Sequence, residues 1–415
     1  MRIAIIGSGI SGLTCAYLLS RQHEVTVFES AAWVGGHTHT VDVQCQGQAY
    51  AIDTGFIVFN DWTYPHFINL LKHLQVATRP TQMSFSVHEP NTGFEYNGHT
   101  LDSLFAQRRN LLSPGFWGML RDILRFNRQV LADFDQQRID DSATLGSYLK
   151  AKGYGQRFID HYIMPMGSAI WSMSRAGMLA FPLQFFVRFC RNHGLLSVNQ
   201  RPQWRVIEGG SRSYVAPLCR PFAERIRLNC PVHRVERDEA GVTLLSGAGT
   251  ERFDAVVFAC HSDQALALLG APSMDERAVL GAITYANNEV LLHTDTRLLP
   301  RRRKAWASWN YRLGDPQHAG AALTYDMNIL QGIEAPVTFC VSLNQNAQVD
   351  PAQVLARFDY AHPQYSLTAL TAQARHAELQ GCQHSYYCGA YWGNGFHEDG
   401  VLSALQVAAC FGEHL

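Results

Sequence analysis

The sequence predicts an α/β fold. A parallel-sheet domain is assembled from separated segments, and the intervening chain forms a second domain with its own β-sheet and a helical insertion. Three observations predict it. A wholly apolar run, Ile3-Ala4-Ile5-Ile6, leads into a glycine loop and a helical pattern. Apolar strands of the same kind return in mid-chain, at Phe253 to Ala259, and near the end, from Tyr386. Between the first two lies a stretch, Tyr64 to about Leu196, that reads as mainly helical.

Taken in order, Ile3 to Ile6 has no polar alternation, which suits a strand covered on both faces. From Ser11 to Arg21 the apolar spacing turns helical, with Leu13, Ala16, Tyr17 and Leu19. Val25 to Phe28 is a second strand that ends at Glu29. Strand, helix and strand in about 30 residues is the βαβ size. Strand character is also expected at Phe56-Ile57-Val58-Phe59. Helices are expected at Phe67 to Leu74, Gly118 to Phe134 and Phe185 to Phe189, the second opened by Pro114-Gly115-Phe116-Trp117. Pro231 to Val235 and Gly241 to Leu245 read as a hairpin pair. Ala282 to about Ser342 alternates like strands. Tyr386 to Cys410 reads as strand, glycine loop and helix.

This pattern assigns residues 1–75, 200–270 and 380–415 to the first domain, and 76–199 and 271–379 to the second. The chain has 415 residues, a formal charge of -1 and 47% hydrophobic residues. Such a balance gives no electrostatic reason to expect nucleic acid. No apolar stretch reaches the ~18 residues of a membrane span, and the opening lacks the pattern of a secretory signal. Ten scattered cysteines form no CxxC pair and read as reduced, mostly buried thiols. The expectation is a cytoplasmic protein.

Gly7-Ser8-Gly9-Ile10-Ser11-Gly12 follows the first strand. In such a GxGxxG loop the first glycine permits the turn, the second lets backbone approach a pyrophosphate, and the third lets helix and strand pack closely. The helix N-terminus, from Ile10 and Ser11, offers free N–H groups and a partial positive charge. Glu29 ends the second strand, where a carboxylate accepts ribose hydroxyls. Residues 30–32 are Ser-Ala-Ala, with no arginine for a 2′-phosphate. The reading is a Rossmann-type dinucleotide site for FAD or NAD rather than NADP.

Further motifs resemble the flavin amine oxidase superfamily, which includes monoamine oxidases, protoporphyrinogen oxidase and phytoene desaturases. The stretch from Glu29 through Trp33-Val34-Gly35-Gly36-His37 is similar to its second signature. Asp53-Thr54-Gly55-Phe56 resembles the segment that approaches the flavin, and Ile207-Glu208-Gly209-Gly210-Ser211 the mid-chain Gly-Gly motif. Val232 stands where members place a valine beside the adenine. Cys388-Gly389-Ala390 and Gly395-Phe396-His397-Glu398-Asp399-Gly400 resemble the C-terminal motif, in which helix amides face flavin O2. The resemblance spans nearly the whole chain. It implies non-covalent FAD and adds Gly35, Gly36, His37, Thr54, Gly55, Phe56, Val232, Gly389, Gly395, Phe396 and His397 to the cofactor contacts. The chain departs from the pattern too: His37 replaces an arginine, Ala390 an acid, and Phe396 a tyrosine of the amine-binding cage. The family's lysine near flavin N5 has no evident counterpart, since Lys304 lies in a basic run, Arg301 to Lys304. The resemblance runs closest to bacterial members associated with modification of unsaturated or cyclopropane fatty acyl chains.

On the substrate side, His161 to Ser172 is apolar and rich in methionine. Residue by residue it reads as helix packing; as a whole it reads as a wall of a substrate pocket. Trp171 is the candidate for that wall, and Phe396 and Trp392 for the flavin face. Phe181 to Phe186 poses the same choice. The aromatic start of Phe116 to Leu120, followed by Arg121, Arg125 and Arg128, reads as a core helix with a charged outer face; the alternative is a peripheral membrane contact. His37-Thr38-His39 lacks a third ligand, so no metal is expected. The function expected is an FAD-dependent oxidoreductase that removes hydride from an apolar substrate, with O2 or another electron acceptor, or isomerises it through the flavin. The alternatives are an NAD-dependent dehydrogenase and a non-catalytic flavin-binding scaffold.

Overall fold

Arg2–Ile6 lies at the centre of a five-stranded parallel sheet, in the order Ile226–Arg227, Glu24–Phe28, Arg2–Ile6, Ala255–Phe258, Ser385–Tyr387. The computed structural model describes residues 1–197, 199, 201–314 and 321–415. Ile5 sits beside both Val27 and Val257. One face of the sheet packs Ile3, Ile5, Val27 and Val257 against the Ile10–Leu19 and His397–Ala409 helices. The other face buries Ala4, Ile6, Phe28, Val256 and Phe258. Two covered faces explain why these strands carry no polar alternation. Of the mid-chain run, Phe253 ends an antiparallel strand, Gly249–Phe253, and the parallel strand proper is Ala255–Phe258. The expected hairpin is present, with Val232–Asp238 antiparallel to Gly241–Ser246.

A second, seven-stranded sheet runs in the order Val354–Gln364, Thr284–His293, Cys340–Leu343, Leu323–Asp326, Trp309–Arg312, Phe85–Glu89, Phe94–Asn97. Its pairs are antiparallel except Trp309–Arg312 with Phe85–Glu89. The strand-like stretch from Ala282 thus forms this sheet, residues 315–320 lying outside the described residues.

Two expectations need correction. The stretch from Tyr64 is not helical throughout: the Pro65–His73 helix is followed by strands Thr78–Pro80, Phe85–Glu89 and Phe94–Asn97. The turn Pro90-Asn91-Thr92-Gly93, with Gly93 at φ +66°, folds the last two into a hairpin. Phe56 to Val58 is also not a strand; only Phe59–Asn60 pairs, with Trp204–Ile207. The segment is drawn against His37 instead: the Phe56 amide donates to the His37 carbonyl at 2.9 Å, and a Cβ on Gly55 would lie 2.0 Å from that oxygen.

Helices fill the chain from Leu101 to Asn192. The longest, Pro114–Asp135, starts with Ser113 accepting a bond from the Phe116 amide and with proline in its first turn. Phe116, Met119, Phe126 and Val130 face a core shared with Phe158 and Phe186. Its other face is exposed, and Trp117 lies on it rather than in the core.

Candidate cofactor and substrate site

The three loop glycines occupy three different environments. Gly7 has φ +107°, and a Cβ on it would meet the Ala259 oxygen at 2.8 Å. A Cβ on Gly12 would lie 2.1 Å from the Gly7 oxygen and 3.0 Å from Ala259 Cβ, so here helix and strand touch. A Cβ on Gly9 would meet nothing within 4 Å. Gly9 also begins the Ile10–Leu19 helix without a capping side chain. Open space therefore faces the first-turn amides, the setting for a phosphate.

Glu29 is fixed beside this loop. One carboxylate oxygen accepts from the Ser8 amide at 2.9 Å and the Ser8 hydroxyl at 2.6 Å; the other accepts from the Ala31 amide at 2.8 Å. Ser8 Oγ in turn accepts from the Gly35 amide at 3.2 Å. Gly36, at φ +57°, sits so close that a Cβ would be 3.1 Å from Gly9 Cα. The two N-terminal motifs are thus zipped together. The Cys230 amide donates to the Glu29 carbonyl, which brings the half-buried Val232 strand alongside.

A second knot joins the other motifs. Buried Asp53 accepts from the Ser211 amide and hydroxyl, both at 2.9 Å, and from Thr40 Oγ1 at 2.6 Å. Burial raises its carboxyl to about 6 against these bonds. Thr54 Oγ1 is engaged with Tyr360 at 2.9 Å and the His39 carbonyl at 3.1 Å, which leaves its side chain turned from open space.

His37 lies among aromatic neighbours. Its ring centre is 4.9 Å from Tyr360, 5.8 Å from His362, and 5.9 Å from Phe56 and from His261. Its Nε2 is buried with no protein partner. Burial first, and then His362, His261 and His39, hold its pKa down to about 3, so the ring is neutral at pH 7. His261 and His362 escaped the sequence reading. His261 had a usable signal: it follows the Ala255–Phe258 strand, at the carboxyl edge where parallel sheets bind ligands. His362 lies on a long strand and offers no such signal.

At the C-terminal motif, Gly395 (φ +90°) leads through Phe396 into the His397–Ala409 helix. Asp399 accepts from the Phe396 amide at 2.9 Å and, being buried, rises to about 6. His397 stacks on Phe67 at 4.5 Å, its Nε2 is also buried without a partner, and burial lowers its pKa to about 3. Upstream, the Gly389 amide donates to Ser403 Oγ at 2.9 Å.

A cavity opens between these elements. Gly55, Phe56, Ile57 and Val58 line it with Ile170, Trp171, Trp309, Tyr325, His362, Tyr365, Phe396 and His397. The structure therefore brings Gly55, Phe56, Trp171, Gly395, Phe396 and His397 together. Trp392 is not among the lining residues; its ring packs on His376 at 4.2 Å and Tyr391 at 5.1 Å. The described lining includes no Asp, Glu, Lys or Arg. The sequence holds four lysines, Lys72, Lys150, Lys152 and Lys304. None lines the cavity, and Lys304 pairs with Asp102 at 3.0 Å on the surface. Among the described residues no group of three or more His, Cys, Asp or Glu is placed to hold a metal.

A dinucleotide fits this arrangement. Gly9 leaves the room a pyrophosphate needs, and the orphaned Nε2 atoms of His37 and His397 are buried polar groups of the kind a bound partner satisfies.

Comparison with known proteins agrees. The sequence pattern of the flavin-containing amine oxidoreductase family matches residues 10–323. A Mycobacterium tuberculosis protein named for the flavin-containing monoamine oxidases is 25% identical over 270 residues, covering 62% of this chain and 56% of the relative. The chain thus spans little more than half of that relative. Cyclohexylamine oxidase from Brevibacterium oxydans shares the fold at TM-score 0.69 and 16% identity, over 99% of this chain and 98% of that one. A CLA-producing fatty acid isomerase from P. acnes does so at TM-score 0.70 and 13% identity, with the same coverage.

Proposed function

The chain belongs to the flavin-containing amine oxidoreductase family, and from that premise we propose that it is an FAD-dependent oxidoreductase that removes hydride from an apolar substrate, a fatty acyl chain or other unsaturated lipid. FAD supplies the hydride acceptor when bound. The roles of the residues follow from where they lie. Gly9 and the first-turn amides of Ile10 to Gly12 take the pyrophosphate, and Glu29 takes the ribose. The amide of His397, at the start of its helix, meets the flavin's pyrimidine edge, where a helix N-terminus favours negative charge. Trp171, Ile57, Val58, Ile170 and Phe396 enclose the substrate and keep water out.

The observation that carries the substrate class is the uncharged cavity wall. An ammonium entering it gives up its water and meets no carboxylate, a cost of several kcal/mol. An acyl chain gains ~0.8 kcal/mol for each CH2 it buries, so six offset roughly 5 kcal/mol of other costs. The chain's fold is shared by amine oxidases and by a fatty acid isomerase alike. Phe396 in place of the cage tyrosine, and the absence of lysine from the described lining, support the acyl reading.

A fluorescent long-chain acyl probe tests it. The flavin-loaded protein should bind the probe, unlabelled acyl chains should compete, and primary amines should not. Ala169→Trp fills the cavity and should abolish probe binding while the flavin is retained. Competition by amines alone would refute the substrate class.

A further inference from the structure

The outer face of the Pro114–Asp135 helix and the turn before it present an exposed ridge outside the cavity. At 100° per residue, Pro114, Trp117, Arg121, Leu124 and Arg128 fall on one side of the helix. All five are exposed. Leu111 and Leu112 of the preceding turn continue this face, with Leu112 88% and Trp117 49% exposed. The indole is not loose: Trp117 Nε1 donates to the Leu111 carbonyl at 2.9 Å, which ties turn and helix into one ridge. Trp117 also packs on Phe105, ring centres 5.5 Å apart, just after the Leu101–Leu104 helix, where Asp102 pairs with Lys304.

The charges are one-sided. Arg121 and Arg128 are exposed, and among the described residues neither has an ion-pair partner, unlike Arg125, which pairs with Asp122. Asp122 is buried and bound to the Gly155 amide at 2.9 Å. Asp102 is shared by Arg108 and Lys304. At the far end Asp135 is paired with Arg191. Behind the turn, Asp160 is paired with Arg175, and Glu89 lies 3.8 Å from His161. A face that combines protruding leucines, an interfacial tryptophan and unpaired arginines, on a chain of formal charge -1, is complementary to one partner chemistry. We infer that this ridge docks the protein onto an anionic phospholipid surface, with Leu112 and Trp117 entering the headgroup layer and Arg121 and Arg128 over the phosphates. A second copy is a poorer occupant, because a two-fold contact would set these arginines against each other. The inference does not depend on the substrate class.

Co-sedimentation of the flavin-loaded full chain with vesicles tests it. The protein should sediment with phosphatidylserine-containing vesicles, far less with pure phosphatidylcholine, and be released by salt. Arg121→Ala with Arg128→Ala should weaken binding roughly 25-fold, at roughly five-fold per arginine. Leu112→Asp should release it, and both variants should keep the parent's melting temperature. Failure of the parent to bind anionic vesicles at low salt would overturn the inference. So would variants that bind like the parent, or a dimer in solution that Leu112→Asp dissolves.

Discussion

Gly9 and Gly12 are three residues apart and should fail in opposite ways. Gly9→Ala adds a Cβ to open space. The apoprotein should melt at the parent's temperature yet lose flavin retention, read as the ratio of absorbance at about 450 nm to that of the protein. Gly12→Ala drives a Cβ to 2.1 Å from the Gly7 oxygen. It should destabilise the fold itself by roughly 2–3 kcal/mol in denaturant titration. Buried histidines set a further expectation. His37 and His397 are held to about 3, and His88, His193, His293 and His362 to about 4, in each case chiefly by burial. Once unfolded they ionise near 6.5, so their contribution is present above about 6.5 and is lost as pH falls towards 4. Asp53, Asp326 and Asp399, raised to about 6, oppose this, since their contribution is lost as pH rises through 6. Six sites outweigh three, so the apoprotein's melting temperature should fall between pH 6.5 and 4; a flat or rising profile would contradict this. The glycine roles were legible in sequence because backbone sterics depend on the glycines themselves. The histidine cluster was not, because His261 and His362 come from distant segments.

At the level of elements, the Pro114–Asp135 helix carries its signals in its own residues: Ser113 as cap, proline in the first turn, and an apolar stripe that includes Phe116, Phe126 and Val130. Phe126 is fully buried among Phe158, Tyr148, Tyr154 and Phe186. Phe126→Ala should cost about 3–5 kcal/mol in equilibrium unfolding, and Ser113→Ala about 1 kcal/mol. Equal effects would place the helix's stability in its cap rather than in its packing. The hairpin at Phe85 to Asn97 was missed for a physical reason. Its inward residues include Ser86 and Asn97, made compatible with burial by Asn310 Oδ1 accepting from Ser86 at 2.7 Å and the Trp306 carbonyl accepting from Asn97 at 2.7 Å. Partners more than 200 residues away supply what a local hydrophobic pattern would otherwise have shown.

Across the whole molecule, the parallel sheet draws strands from residues 2–6, 24–28, 226–227, 255–258 and 385–387. Most of this assembly was legible because Ile3 to Ile6, Val25 to Phe28 and Ala255 to Phe258 are buried and almost wholly apolar, whereas the two-residue edge strand Ile226–Arg227, half-buried and carrying an arginine, gave no such signal. The cavity was only partly so: Trp171 and Phe396 reach it, whereas Trp392 does not line it. Trp309, Tyr325 and Tyr365 arrive from the second sheet and the loop after it, and no local spacing announces them. The uncharged wall those residues complete is the basis of the proposed apolar substrate class. The most direct measurement is an anaerobic titration of the flavin-loaded protein, followed at about 450 nm. Long-chain unsaturated acyl substrates should bleach the band, and primary amines should leave it unchanged. Bleaching by amines, with acyl chains inert, would contradict the account.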